Sequence, residues 1–279
     1  MSKADLHIHT TASDGKMSPS EVVRQAVRLG LSVISISDHD TISGIGEARQ
    51  EAAKHDIRIL NGVEITTSFQ HLECHLLAYD FNPEHRQLVE LLRVHQNARV
   101  ERARWIIKQL NAEGLELDID EVMAEAYKSP VGRPHIAKIL CQKGYVATAR
   151  EAFIRYLSDN ALGAIPSNYF DYAETINIVH AAGGVVMVAH PGRLYDKDKI
   201  NQLIDAGIDG LEVFHPSHNS KMQRAMEKIA AEHHLLISGG SDFHGSDASA
   251  NINFGSTTIS VEAVAAIQTH NRRGKRISA

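Results

Sequence analysis

The 279-residue sequence lacks several features that would assign it to a large protein class. Its two cysteines, Cys74 and Cys141, are too few for a disulfide framework and are typical of a reducing compartment. No apolar run reaches the roughly 18 to 20 residues that a membrane-spanning helix needs. Residues 1–9 are acidic and rich in histidine, where a signal peptide would be basic and then apolar. We therefore expect a soluble, cytoplasmic protein that does not bind membranes.

The sequence also lacks an excess of positive charge. Lys and Arg number 29 against 34 Asp and Glu, which gives a formal net charge of -5. Stable binding of long duplex DNA through a global positive field is therefore not expected. The net charge does not exclude a local basic patch. With 43% hydrophobic and 23% charged residues, the composition suits a folded protein with a buried core and excludes intrinsic disorder.

Motifs of other common enzyme classes are missing as well. Gly44 and Gly46 lack the third glycine of a dinucleotide fingerprint, and no P-loop pattern occurs. Neither Ser13 nor Ser241 lies in a nucleophile elbow. Histidine, by contrast, is abundant, with 17 residues against seven Phe, seven Tyr and one Trp. Because histidine is the commonest ligand of transition metals, the positions of these residues are the main clue to function.

Short apolar runs alternate with helical patterns along most of the chain. The runs predict seven strands, at 4–9, 33–37, 58–60, 74–79, 185–189, 210–214 and 235–238. The first helix opens with Ser18 as its cap and Pro19 at its first position, and closes at Gly30. Further helices are predicted at 44–55, 171–182, 197–206 and 220–233. This alternation predicts an α/β protein with a mainly parallel sheet, either open or closed.

One stretch interrupts the alternation. From about residue 83 to residue 170 the pattern is almost continuously helical, with helices predicted at 88–110, 119–127, 135–144 and 149–157. We predict that residues 99–167 form a helical insertion that packs as a lid on the remainder. Residues 1–98 and 168–279 would then form the main domain.

His7 and His9 lie two positions apart in the first predicted strand, so their side chains point to one face. Such a pair is a partial metal site, but it also occurs by chance on solvated strands. Further potential ligands lie in or directly after other strands: Asp38, His39, Asp40, Glu64, His75, His190, Asp242 and His244. In a barrel of parallel strands, loops at the carboxyl ends converge, so these side chains would meet. Imidazoles and carboxylates without thiolates suit Mn, Fe or Zn.

Asp14 follows the first strand directly. Taken alone, it is best explained as a turn residue before Gly15. Its position beside the predicted cluster adds it to the potential ligands.

Seven motifs in order resemble the PHP (polymerase and histidinol phosphatase) superfamily, and they cover the chain outside the insertion: DLHIHT, TASDG, SDHDT, GVEI, ECHLLAY, AHPGR and GSDFHG. The resemblance implies a distorted seven-stranded (β/α)7 barrel. It also implies a centre of two or three divalent metal ions, with Mn expected and Fe or Zn as alternatives.

Carried over position by position, the resemblance implies three sets of metal ligands. One ion would be bound by His7, His9, Glu64 and Asp242. A second ion would share Glu64 and add His75 and His190. The third would be bound by Asp14, His39 and His244. His71 is an alternative to His75 as the metal ligand, but only His75 lies inside the predicted strand, as the family pattern requires. Catalysis would depend on Asp14, Glu64 and His190.

The AHPGR motif and residues 132–138 (GRPHIAK) resemble the branch that includes 3',5'-nucleoside bisphosphate phosphatases and 5'-3' exoribonucleases of short RNA. This branch implies hydrolysis of the 3'-phosphate of a nucleoside 3',5'-bisphosphate, for example pAp to AMP, with possible trimming of short RNA. Because arginine makes forked contacts with phosphate, several arginines join the expected substrate-binding residues. These residues are Asp14, His39, Arg102, Arg133, His135 and Arg193. Arg99 and Arg104 are instead expected to be solvated surface residues.

Three alternatives stay open from the sequence. A phosphatase for another small phosphomonoester, such as histidinol phosphate, would differ in what the insertion binds. A noncatalytic nucleotide- or RNA-binding module would have no reason to keep nine potential metal ligands. DNA proofreading or repair is disfavoured by the acidic net charge. The proton donor to the leaving 3'-oxygen is open too, with a metal-bound water, Asp14 and Asp40 as candidates.

Overall fold

The computed structural model describes residues 3–69, 72–127, 129–162, 170–192, 197–245 and 254–277, and its centre is one mixed eight-stranded sheet. The strands are β1 (Lys3–Ile8), β2 (Leu31–Ile36), β3 (Arg58–Phe69), β4 (Leu72–Tyr79), β5 (Val185–Val188), β6 (Gly210–Phe214), β7 (Leu236–Gly239) and β8 (Ile259–Ser260). Their order in the sheet is β7-β6-β5-β4-β3-β2-β1-β8. All seven predicted strands are present, and the short β8 was not predicted.

Two strands depart from the predicted parallel arrangement. β4 is antiparallel to both β3 and β5, and β8 is antiparallel to β1, whereas the other pairs are parallel. β3 runs to Phe69, nine residues beyond its predicted end, so only residues 70 and 71 separate it from β4. Because a parallel pair needs a crossover of about a dozen residues, this short connection forces β4 to reverse. The described residues therefore form a sheet of eight strands, parallel and antiparallel, in place of the expected seven-stranded (β/α)7 barrel.

The sheet curves until its two ends nearly meet. The segment after β7 pairs with the end of β1: Ile8 and Phe243 form a parallel bridge, and His9 N donates to Phe243 O at 2.8 Å. Gly240 makes this approach possible, because a Cβ atom there would lie 2.3 Å from His7 N. The result is a nearly closed barrel whose last loop lies beside the first strand.

Helices cover the outside of the barrel. They are α1 (Pro19–Arg28), α2 (Ser43–Ala52), α8 (Tyr172–Ala181), α9 (Lys197–Asp205), α10 (Ser220–Glu232) and α11 (Val261–Ile277). α1 begins as predicted, with the Ser18 side chain and Glu21 forming a capping box and Pro19 at its start. The first five match predicted helices, whereas α11 was not predicted.

The insertion contains further helices with a core of their own. These are α3 (Arg86–Ala112), α4 (Ile119–Ala126), α5 (Arg133–Gln142), α6 (Ala149–Ala152) with a π-helical turn at Phe153–Leu157, and α7 (Asp159–Leu162). The first half of α3 packs on the barrel through Leu88 and Leu91, and its second half packs in the insertion through Ile106 and Leu110. The predicted boundary at residue 99 lies between these two sets of contacts, inside an unbroken helix. The division into domains stays a prediction, which this change of packing supports.

Among the described residues, no helix combines the length and the apolar character needed to cross a bilayer.

Candidate metal centre and adjoining cavity

His7 and His9 lie at the end of β1 and are completely buried. The alternation of the strand sends Leu6 and Ile8 into apolar clusters. The two imidazoles instead approach each other, with 3.1 Å between His7 Nε2 and His9 Nε2. The predicted one-faced pair is therefore present, and it faces acidic side chains from distant strands.

The first predicted ligand set converges around these two nitrogens. Glu64 Oε2 lies 3.4 Å from His7 Nε2 and 3.3 Å from His9 Nε2. Asp242 Oδ1 lies 3.4 Å from His7 Nε2 and 3.1 Å from His9 Nε2. Metal–ligand bonds of about 2.1 Å put neighbouring donor atoms about 3.0 to 3.4 Å apart, depending on coordination number. The distances from each carboxylate oxygen to the two histidine nitrogens fit ligands of a shared divalent ion.

Glu64 also connects the second set. Its other oxygen, Oε1, lies 2.9 Å from His75 Nδ1 and 2.9 Å from His190 Nε2. His39 Nδ1 lies 3.0 Å from Glu64 Oε2. One buried carboxylate is therefore surrounded by imidazoles from several strands and loops, as a bridging ligand would be.

The third set surrounds Asp14, in the loop after β1. Its Oδ1 lies 3.4 Å from His244 Nε2 and 3.7 Å from His9 Nδ1, and its Oδ2 lies 3.9 Å from His39 Nε2. His9 Nδ1 is buried and makes no hydrogen bond. An unpartnered buried nitrogen beside a carboxylate fits a ligand atom. All nine predicted metal ligands thus lie in one cluster, and their individual roles stay predictions.

Glu212 on β6 orients two of these residues, and the sequence reasoning missed it. The His7 Nδ1–H group donates to Glu212 Oε1 at 2.9 Å, which leaves the Nε2 lone pair directed at the cluster. The backbone N–H of His190 donates to Glu212 Oε2 at 2.7 Å. Carboxylates that fix the tautomer of a ligating histidine are common around metal sites. A buried Glu among the apolar residues of a predicted strand is the signal that could have identified it.

His215, directly after β6, also borders the cluster. Its Nδ1 accepts a hydrogen bond from Ser217 N at 3.1 Å, so the ring proton is on Nε2. His215 Nε2 lies 3.2 Å from Asp242 Oδ2 and donates to it. With this tautomer His215 orients Asp242 and is not itself a donor to a metal ion.

The electrostatics of the cluster also favour a bound cation. Burial lowers the pKa of His39 to about 3, which keeps its imidazole in the neutral form that binds metals. Burial opposes ionisation of Glu64, but the positive charge of His75 and His7 holds the pKa of its carboxyl group well below the ordinary value. Isolated buried carboxylates are costly unless they are paired or bind metals. The residues present therefore fit a centre of divalent ions.

A cavity of about 150 Å³ adjoins the cluster on the side of the insertion. Asp14, His39 and His75 form part of its wall, and the insertion contributes Arg99, Arg102, Gly132, Arg133 and Phe153. The predicted substrate residues Asp14, His39, Arg102 and Arg133 therefore lie together around this space.

Glu73 on β4 lies in the same wall, and sequence reasoning missed it. Its Oε1 lies 3.2 Å from His75 Nε2 and 3.7 Å from Arg133 Nη2, and its Oε2 forms an ion pair with Arg102. Burial raises the pKa of Glu73, but His75 and the two arginines hold it well below its ordinary value. Glu73 thus joins a metal-ligand candidate to both arginines. Its position two residues before His75 was the available signal.

Two predicted substrate residues are not brought to the cavity wall by the described structure. His135 Nδ1 accepts from Gly132 N at 3.0 Å, and its Nε2 lies 3.4 Å from Ser129 Oγ. The ring therefore supports the start of α5 behind the wall, and substrate contact by His135 stays a prediction. Arg193 lies outside the described residues.

The expectation that Arg99 is a solvated surface residue is wrong. Its side chain is 10% exposed and its Nε donates to Asp40 Oδ2 at 2.5 Å. The helical pattern could not show that this part of α3 lies against the loop after β2. Arg104 is 54% exposed, as expected. The same pairing makes Asp40 a poor proton donor, because Arg99 and His95 hold its pKa well below the ordinary value against the effect of burial.

Comparisons with known proteins agree with this architecture. A family model described as the PHP domain matches residues 5–161. A 5'-3' exoribonuclease of Haemophilus influenzae is 35% identical over 247 residues, covering 87% of this chain and 90% of the relative. A 3',5'-nucleoside bisphosphate phosphatase of Chromobacterium violaceum is 32% identical, covering 88% of each chain.

A solved structure from Bifidobacterium adolescentis, described as a metal-dependent phosphoesterase, superposes with a TM-score of 0.86 and 33% identity. The superposition covers 95% of this chain and 94% of that one. These relatives confirm the prediction of a metal-dependent phosphoric ester hydrolase at the level of the family. The chain belongs to the PHP family.

Proposed function

We propose that the protein hydrolyses the 3'-phosphate of nucleoside 3',5'-bisphosphates, for example converting pAp to AMP. The observation that supports this substrate is the position of Arg102 and Arg133, which share the carboxylate of Glu73, itself 3.2 Å from the metal-ligand candidate His75. Guanidinium groups form strong forked contacts with phosphate. A substrate with two phosphates would place one at the metal cluster and the other at these arginines.

The residues of the barrel have separate tasks in this proposal. Divalent ions bound at the cluster would supply Lewis acidity and a nucleophilic water at neutral pH. Glu64 and His190 would be among the ligands that hold these ions. Glu212 would keep the Nε2 lone pair of His7 available by accepting a hydrogen bond from its Nδ1–H group. Asp14 and His39 lie in both the cluster and the cavity wall, so the scissile phosphate would bind beside them.

Proton donation to the leaving oxygen is assigned to neither candidate side chain. Asp40 is ion-paired with Arg99. Asp14 has a pKa well below its ordinary value, because the charge of neighbouring groups, His244 foremost, outweighs the effect of burial. Both carboxyl groups are therefore ionised at neutral pH, which leaves solvent at the cluster as the proton source.

The insertion would supply binding energy more than chemistry. Arg133 lies at the start of α5, and its Nη1 also donates to Leu157 O at 3.2 Å in the π-helical turn. This contact fixes the guanidinium at the N-terminus of α5, where the positive end of the helix dipole adds to its charge. A phosphate bound there would be held by both effects.

The test compares Arg133→Met with wild type on adenosine 3',5'-bisphosphate. Loss of a charge-assisted contact of about 1.5 to 3 kcal/mol predicts a KM roughly 10 to 100 times higher, with kcat changed much less. Arg155→Met is the matched control, because Arg155 is 49% exposed and pairs with Glu151. Steady-state phosphate release measures both variants.

A substrate panel separates this proposal from its alternatives. Histidinol phosphate and 5'-phosphorylated oligonucleotides would be compared with adenosine 3',5'-bisphosphate by kcat/KM. Preference for histidinol phosphate would replace the proposed substrate class, and preference for long oligonucleotides would make the protein chiefly an exoribonuclease. Absence of turnover on every substrate after metal loading would instead favour a binding module.

A further inference from the structure

Asp40 lies between two residues of the metal cluster and the insertion. It follows His39 directly, and its backbone N–H donates to Glu64 O at 2.9 Å. Its Oδ1 accepts from Thr66 N on β3 at 2.8 Å. The residue has a φ of 50°, which is uncommon outside glycine and is tolerated best by Asp and Asn. These contacts fix the carboxylate relative to both His39 and Glu64.

Helix α3 contacts this carboxylate from the other side. Arg99 Nε donates to Asp40 Oδ2 at 2.5 Å, and Arg99 Nη2 donates to Thr66 Oγ1 at 2.7 Å. Gln96 Nε2 donates to the carbonyl oxygen of Asp40 at 2.9 Å. Asp40 and Thr66 are fully buried. One face of α3 is therefore bound to the barrel through polar contacts with defined geometry.

The chain returning from the insertion is attached at the same place. His95 is fully buried, and its Nε2 accepts from the backbone N–H of Phe170 at 3.1 Å. The ring proton is then on Nδ1, which lies 3.4 Å from Asp40 Oδ1. The outgoing helix thus contacts Asp40 directly, and the returning segment is connected to Asp40 through His95.

Arg102 lies three residues after Arg99 and so projects from a neighbouring position on the same face of α3. It reaches Glu73, which also contacts Arg133. We propose that Asp40 and Arg99 are positioning residues that set the distance from the metal ligands to Arg102 and Arg133. They would thereby select substrates with a second phosphate. The proposal rests on the function proposed above.

A role in stability alone explains this pair less well. Desolvation makes buried ion pairs weak contributors to stability, and apolar replacements are often as stable. What such a pair does supply is orientation, because Arg99 must satisfy Asp40 and Thr66 together. A shift of about 1 Å in a substrate-positioning element can cost a hundredfold in rate. The expected consequence of loosening the pair is therefore a defect confined to substrates that use the insertion.

The experiment uses the full-length, metal-loaded protein with Arg99→Met and Arg99→Lys. Two substrates are compared: adenosine 3',5'-bisphosphate and adenosine 3'-monophosphate, which lacks the second phosphate. Arg99→Met should raise KM for the bisphosphate about 10- to 100-fold. Turnover of the monophosphate should fall less than turnover of the bisphosphate, since the contacts with the second phosphate are then absent. Arg99→Lys should be intermediate, because an ammonium group cannot form the fork to both partners.

The matched control is Arg104→Met, five residues further along α3 and exposed to solvent. A second readout is hydrogen exchange of the amides of α3 and α5, measured without substrate. It should accelerate in Arg99→Met and stay at the wild-type rate in Arg104→Met. If Arg99→Met does not fold, Arg99→Lys and Gln96→Ala provide the same comparison with smaller expected effects.

Equal loss of activity on both substrates, or exchange rates like those of Arg104→Met, would overturn the positioning role. The proposed function fails in a different way. If the wild-type protein does not distinguish the bisphosphate from the monophosphate, the second-phosphate site is wrong. The exchange measurement still tests in that case whether Asp40 and Arg99 hold the insertion in place.

Discussion

The metal face of the barrel and the helical insertion arrange their charged side chains in different ways. On the barrel, buried imidazoles and carboxylates from strand ends point at one another, and Glu64 contacts histidines from several elements. In the insertion, arginines on helices are held by carboxylates of the barrel, Asp40 and Glu73. Strands and the loops that follow them thus hold the candidate metal ligands, while the arginines of the insertion depend on carboxylates of the barrel for their orientation.

The largest expected effect comes from the barrel side. Glu64→Gln keeps the shape of the side chain but removes the charge that faces five imidazoles. Turnover should fall about a thousandfold or more, because the ions that activate the nucleophile would lose their shared ligand. Phosphate release and metal content by elemental analysis would be measured, with the melting temperature as a check on folding. Wild-type turnover at normal metal content would remove Glu64 from the centre.

A substitution in the core of the insertion should affect the stability of the insertion and leave the metal centre intact. Leu140 is fully buried among Ile136, Ala137 and Leu157 in the insertion. Leu140→Ala should destabilise this core by about 2 to 5 kcal/mol. Chemical denaturation and hydrogen exchange should show weakened α4 and α5, while bound metal stays at the wild-type level. Loss of metal together with the insertion would mean that the two regions fold as one unit.

Substitution of a residue that orients the metal-ligand candidates should have a smaller effect than substitution of a ligand. Glu212→Gln leaves every proposed ligand in place but weakens the acceptor for His7 Nδ1–H and His190 N–H. Metal affinity should fall about 10- to 100-fold, which is typical for the loss of an orienting partner. Competition with a fluorescent chelator measures this affinity. Gln223→Glu on α10 tests whether any change of charge near β6 has the same result.

The smallest expected effect lies away from both regions. His180 Nε2 lies 2.8 Å from Asp209 Oδ2, and this hydrogen bond raises the pKa of His180 above its ordinary value. Protonated His180 therefore stabilises the folded state below the unfolded pKa, and this contribution is lost as the pH rises through the folded value. The side chain is 36% exposed, so the effect should stay below about 1 kcal/mol.

His180→Gln should therefore be less stable than wild type at pH 6 and nearly equal to it at pH 9 in urea denaturation. A difference that grows with pH would contradict the sign of this linkage. Unchanged turnover in this variant would set the baseline for the barrel and insertion variants.

The sequence predicted the elements of the barrel and the composition of its metal face well. Strand periodicity identified His7 and His9, because alternation on β1 depends only on local geometry. The reversal of β4 was missed because polar residues after Leu60 concealed the extension of β3. Glu73 and Glu212 were missed because each is one carboxylate in an apolar strand. Only the folded chain shows which imidazole or guanidinium lies beside it.

By itself, then, the sequence determined which chemical groups are available and that most metal-ligand candidates follow strands. The tertiary structure decided which of these groups share partners. The clearest case is Arg99, which helical spacing assigned to solvent and which packing placed against Asp40. The physical reason is that periodicity fixes the direction of a side chain within its own element. Burial and ionic partners depend on how that element packs against residues distant in the chain.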